Sequence, residues 1–233
     1  MTDERYIGGA DAARRGTDHE GIESRVFLRP IASPLALGGA TLVLSGSQLG
    51  WFPLSETKYV ALALMAFGAS LQLLSSIFGF LARDPAAATG MGILAAAWLT
   101  VGLVILNSAP RATSAVLGVF LLFAGAALLI PALGAAFDKL VPAVVLLTAA
   151  VRFFLTGLYQ LSANPGLQYA AGIVGLVLLA VAFYAALALE MEDVRRKTVL
   201  PVLRVGAGKA SVEGGAADQI EGVEHEAGAR EQL

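Results

Sequence analysis

The sequence predicts an all-α membrane protein, a bundle of six transmembrane helices with both termini cytoplasmic. Three observations carry that prediction. Of the 233 residues, 57% are hydrophobic and only 15% charged, and the mean hydropathy is +0.72, well outside the range of soluble domains. Apolar runs of about 20 residues recur along the chain, the length a helix needs to cross a hydrocarbon core ~30 Å thick. Lys and Arg gather beside one set of run ends and are sparse beside the other.

Residues 1-31 read as a cytoplasmic tail with no apolar segment of the signal-peptide kind, so the first span serves as its own insertion signal. The spans fall near 32-52, 58-82, 87-108, 113-135, 140-163 and 167-190. Between them lie short turn-like breaks: Phe52-Pro53-Leu54-Ser55-Glu56, Arg83-Asp84-Pro85, Ala109-Pro110-Arg111, Asp138-Lys139 and Asn164-Pro165-Gly166. Links this short make successive spans antiparallel. Runs of this length without alternation are helices, because lipid offers the backbone no hydrogen-bond partner outside a helix or a closed barrel. Arg5, Arg14, Arg15, Arg25 and Arg29 precede the first span, and Arg195, Arg196, Lys197 and Arg204 follow the last. Arg83 and Lys139 add to that side, against Lys58 and Arg111 opposite, which places both ends in the cytoplasm. The transmembrane domain covers 32-202, and 203-233, rich in Gly, Ala and Glu, reads as a disordered tail.

Several function classes drop out on composition. The net charge of -2, without a dense basic cluster near the start, argues against nucleic acid as a partner. Cysteine is absent, and the two histidines, His19 and His225, lie in the tails. No span offers a base, a nucleophile pair, metal-ligand spacing or a phosphate loop, so neither an enzyme, a metal site nor a cofactor is expected.

One residue breaks the apolar pattern. Arg152 sits near the middle of the fifth span, roughly 18 Å along a helix from Leu140. An Arg at a bilayer centre costs about 2.5 to 3.5 kcal/mol on insertion scales and marks a functional position by default. No Asp or Glu lies at matching depth in any span, which leaves carbonyls, a hydrated cavity, a subunit interface or a transported anion as its partner. Thr148, Arg152, Thr156 and Tyr159 recur at helical spacing on one face, with Gln160 beside them. Span one carries a second polar face in Pro34, Gly38, Thr41, Ser45 and Gln48, and span three a third in Gly92, Ala96, Thr100 and Asn107. Small and hydroxylated residues also serve simply to bring membrane helices close, and Gly46 to Gly50 and Ala171 to Gly175 have that spacing. Gln72 is the other deep polar residue, suited either to donating to a carboxylate or to bridging helices.

The segment Ala32-Ser33-Pro34-Leu35-Ala36-Leu37 resembles the Asn-Pro-Ala-Pro-Leu-Gly-Leu signature of the acetate uptake transporter family, the acetate and succinate permeases. Pro34, Leu35 and Leu37 keep that signature, while its Asn, first Pro and Gly are replaced. Gln72 falls where the family has a glutamine, and Arg83-Asp84-Pro85-Ala86-Ala87 stands at its Gly-Asn-Thr-Phe-Gly motif. Trp98-Leu99-Thr100, Gly172-Ile173-Val174-Gly175-Leu176, Tyr184 and Thr198-Val199-Leu200-Pro201 are similar to later family segments, so the resemblance spans about residues 32 to 202. It implies a divergent member of a family of small carboxylate transporters or channels, assembled as hexamers with one pathway per protomer. A Phe, a Tyr and a Leu narrow that pathway in the family. By position these become Ala40, Leu94 and Ala149, which implies a wider path with Arg152 one turn from Ala149.

The resulting expectation is an inner-membrane transporter or channel for a small organic anion, acetate-like. Arg152 would attract the anion, Gln72 and Gln48 would offer amides, and Thr148, Thr156 and Tyr159 would offer hydroxyls. Its partners would be the bilayer, a carboxylate alone or with a proton, and copies of itself. With no Asp, Glu or His at depth, a coupled proton would travel on the substrate or use a marginal carboxylate such as Glu56. The alternatives are a six-span channel for a neutral solute such as urea or an amide, and a non-transporting membrane scaffold.

Overall fold

The computed structural model describes residues 32–82, 84–137, 139–195 and 198–205. The expected N-terminal tail, and the C-terminal tail from residue 206 onward, lie outside the described residues. Those described form six helices and no strand. We label them α1 (Ala32–Gln48), α2 (Leu54–Leu81), α3 (Pro85–Asn107), α4 (Ala115–Ala136), α5 (Leu140–Ser162) and α6 (Pro165–Arg195). From α2 to α6 all five are long and apolar enough to cross a membrane. The 17 described residues of α1 extend about 26 Å, a little less than the ~30 Å core. With 31 residues, α6 runs a little over one turn past its expected end, because the charged stretch from Glu190 to Arg195 continues the helix beyond the apolar run.

Local chemistry sets the ends. Gly50, at φ 77, closes α1 with two reversed bonds, Trp51 N to Gly46 O at 2.8 Å and Gly50 N to Ser47 O at 3.2 Å. Asp84 caps α3 by accepting from Ala87 N at 2.9 Å, with Pro85 at the first helical position. Its second oxygen pairs with Lys139 Nζ at 3.0 Å, tying the α2–α3 turn to the start of α5. Ser114 caps α4 through Leu117 N at 3.3 Å. Within α2, residues Leu64–Ala69 widen into a π-helical turn, and there Gly68 lets Ala40 and Trp98 approach.

The helices close into a ring. Each packs on its neighbours in sequence, and α6 returns to pack along α1. One continuous apolar core fills the ring, built from Leu37 and Leu44 of α1, Leu64 of α2, Trp98 of α3, Leu121 and Leu128 of α4, Phe153 of α5 and Leu178 of α6. The opposite faces carry large apolar side chains outward, among them Val116, Phe123, Ile130 and Phe137 of the α4 region, as a surface bathed in lipid or covered by another subunit requires.

After α6 the chain folds back as a strap over the start of α5. Leu140 N donates to Leu203 O at 3.1 Å and Val141 N to Val202 O at 3.4 Å, which satisfies two of the donors a helix start leaves open. Val202 is buried, Tyr184 Oη donates to Pro201 O at 2.9 Å, and Arg204 pairs with Glu192 at 2.7 Å with both side chains nearly enclosed. Leu203 and Arg204, counted with the expected tail, therefore take part in this strap.

Candidate functional site

The two polar faces read separately from spans one and five meet inside the ring. Arg152, the thirteenth residue of α5, is 1% exposed. Its side chain reaches across the interior to α1, where Nη2 donates to Thr41 O at 3.5 Å, Ser45 Oγ at 3.2 Å and Gln48 Oε1 at 3.3 Å. Nε and Nη1 have no hydrogen-bond partner, and no carboxylate pairs with the guanidinium among the described residues. The guanidinium stands 5.7 Å from the centre of the Trp98 ring on α3, a cation–π contact, and rests on the α6 backbone at Gly175. Four helices thus surround one cation. Its acceptors are neutral and its bonds long beside the 2.7 to 2.9 Å typical of charge-assisted pairs.

One turn further along α5 a vestibule of about 100 Å³ begins. A single water needs ~10 to 15 Å³ of such space, so several fit. It opens between the α1–α2 and α3–α4 connections and the facing ends of α5 and α6, at the end of the ring away from the strap. Ser47, Gln48, Thr156, Tyr159, Gln160 and Gln168 give its wall polarity, against apolar surface from Leu44, Val60, Val101, Val104 and Leu121. Among the described residues Arg111 is the only charged one on that wall, and it sits in a turn at φ 64, a left-handed conformation unusual for a side chain of its size. Gln48 connects the vestibule to Arg152: its Oε1 accepts from the guanidinium while its Nε2 donates to Thr156 Oγ1 at 3.4 Å.

The remaining site residues expected from the sequence divide. Tyr159 and Thr156 line the vestibule. Thr148 lies two turns away from it, half-buried, with its hydroxyl on Val144 O of its own helix at 2.7 Å. Gln72 is fully enclosed outside the vestibule, and both ends of its amide meet Ser33: Nε2 donates to Ser33 O at 3.0 Å and Oε1 accepts from Ser33 Oγ at 2.9 Å. It clamps α2 onto the signature segment that holds Pro34, Leu35 and Leu37. Ala40, Leu94 and Ala149 are all buried in the apolar core, and none borders the vestibule. One turn along from Leu94 and Ala149, Trp98 and Phe153 stand edge to face with centroids 6.2 Å apart. On α3, Thr100 and Asn107 bond to carbonyls of their own helix, and neither belongs to the Arg152 cluster.

Sequence reasoning passed over three contributors. Trp98 stood out only through resemblance, Gly175 through resemblance and as a small residue at packing spacing, and Arg111 only as a charge beside a span. A tryptophan deep in an apolar span is itself a usable signal, since its ring face suits a buried cation.

No family model matches the chain, and no curated protein matches it. A solved structure, that of the bacterial acetate channel SatP, aligns with a TM-score of 0.66 at 24% identity over 75% of this chain and 98% of that one. The two proteins share their fold.

Proposed function

We propose that this chain is a divergent member of the acetate uptake transporter family and passes a small organic anion, acetate-like, across the inner membrane. All six helices span the bilayer, with both termini cytoplasmic and one pathway in each protomer of a hexamer. The observation that carries this reading is the enclosed Arg152 guanidinium one turn beneath a vestibule with polar groups on its wall, its Nη2 bonded to neutral acceptors and its Nε and Nη1 to none. A permanent cation at that depth makes a favourable place for an anion and an unfavourable one for a cation, while a neutral solute gains little from it. The fold shared with an acetate channel supports the same reading.

In this mechanism Arg111 draws anions to the non-cytoplasmic mouth, since a charge at the rim of an apolar-walled cleft raises the local concentration of its counter-ion. Hydroxyls of Thr156 and Tyr159 on the vestibule wall then replace part of the hydration shell. Arg152 receives the carboxylate, and passage onward requires movement of the Trp98–Phe153 pair that fills the ring beyond it. Motion of the substrate down its gradient needs no proton-relay side chain, and a coupled proton would ride on the carboxylate itself. Acetate flux into liposomes tests the reading. We expect Arg152→Leu to lose most of the flux and Arg152→Lys to keep part of it, because a compact ammonium retains the charge but not the guanidinium's fixed fork. Undiminished acetate flux in the Leu variant would remove the proposal.

A further inference from the structure

Gln48 holds a position that no other partner of Arg152 shares. Thr41 O, Ser45 Oγ and Gln48 Oε1 form one stripe on α1, yet of the three residues only Gln48 also borders the vestibule. A guanidinium has donors and no acceptor, so the amide must turn its oxygen to Arg152 and its NH₂ to the Thr156 hydroxyl. The oxygen thereby sits where a carboxylate oxygen from the vestibule would bind, at 3.3 Å from Nη2. A neutral acceptor at that length is weaker than a carboxylate, whose charge-assisted bonds are shorter and about twice as strong. Gln48 is only half-buried and joined to α1 by a flexible stem, so it can swing into the vestibule as an anion arrives.

We infer that Gln48 is a displaceable internal ligand of Arg152: its amide oxygen stands in for the substrate carboxylate while the path is empty, and it is exchanged for that carboxylate on binding. The inference rests on the proposal that Arg152 meets the anion. Exchange solves a problem of charge. Without a surrogate the cation would lose a further partner whenever the site empties, and with a permanent carboxylate beside it no free anion would compete. A neutral amide is intermediate: strong enough to hold the guanidinium towards α1, weak enough to yield.

The test uses the full chain in detergent and in liposomes, with acetate as the probe and melting temperature as a check on folding. Gln48→Glu ties a charged group to the same place, so acetate-induced stabilisation should vanish and flux should fall at least about a hundredfold, while Arg152 remains intact. Gln48→Met keeps the side-chain length without an acceptor. It removes the competition, so half-saturation should move to about tenfold lower acetate, the size expected for one hydrogen bond to a charged group. Wild-type acetate flux in a folded Gln48→Glu protein, or an unchanged half-saturation in Gln48→Met, overturns the inference. Should Gln48→Glu not fold, the Met variant decides alone. The two proposals fail separately: full flux in Arg152→Leu removes the anion role of Arg152, whereas a dead Arg152→Leu beside a fully active Gln48→Glu removes only the exchange.

Discussion

Gly175→Ala is the smallest change that reaches the Arg152 cluster. A methyl group there would stand 2.9 Å from Arg152 Nε and 3.0 Å from Cζ, and would also collide with Ser45 Oγ. Ordinary contacts of this kind lie near 3.5 to 4.0 Å, so the guanidinium must retreat by about 0.5 to 1 Å. Its bonds to Ser45 and Gln48 are already 3.2 and 3.3 Å long, and such a retreat carries them past the range in which a hydrogen bond persists. Overpacking alone costs about 1 to 3 kcal/mol. Loss of one bond to a charged group adds about 1.5 kcal/mol or more, enough by itself for a tenfold change in an equilibrium. Gly90→Ala is the matched control, because its methyl meets Leu146 Cδ2 at 2.9 Å and Cδ1 at 3.3 Å without touching Arg152 or its partners. Melting in detergent and acetate flux in liposomes should be measured for both. Both variants are expected to melt lower, and only Gly175→Ala to lose acetate flux by about tenfold. Equal flux losses in the two, or wild-type behaviour of Gly175→Ala, would refute the assignment of Gly175 as the floor beneath the guanidinium.

Two further outcomes follow from other parts of the molecule. Glu192→Gln or Arg204→Met breaks an enclosed ion pair at 2.7 Å and should lower stability by about 3 to 5 kcal/mol in thermal melting. Arg111→Ala should reduce acetate flux several-fold at low ionic strength, and the difference should shrink above ~0.1 M salt, where screening acts within about 10 Å.

Much of this arrangement is legible in the residues. The apolar runs and their turn-like breaks mark helices α2 to α5 to within a few residues, since both the length and the punctuation are local properties. Arg152 is conspicuous because nothing of opposite charge lies at its depth. Helical spacing also groups Thr156 and Tyr159 with it, and Ser45 with Gln48. What spacing does not reveal is which faces meet. Periodicity describes a helix against its own axis, whereas the contact between the α1 and α5 stripes depends on how the ring closes, through the pairing of α6 with α1. Spacing likewise leaves open where the polar groups of Thr148 and Gln72 bond. Thr148 bonds to Val144 one turn back in its own helix, whereas Gln72 bonds to Ser33, a partner brought beside it only by the packing of α2 on α1. The strap after α6 is similarly hidden: Val202 and Arg204 occur in a short stretch of mixed polarity, and only the open amides of α5 and the buried Glu192 give that stretch a place to bind.

Charge selection by Arg152 is the central claim, and acetate against acetamide isolates it, because the two solutes match in size and shape and differ in charge. Flux of both should be measured through the wild-type protein and the Arg152→Leu variant in the same liposomes. The account predicts that the wild type strongly favours acetate and that the Leu variant loses this preference, with acetamide flux as high as before or higher. An acetate-to-acetamide ratio unchanged by Arg152→Leu would contradict it.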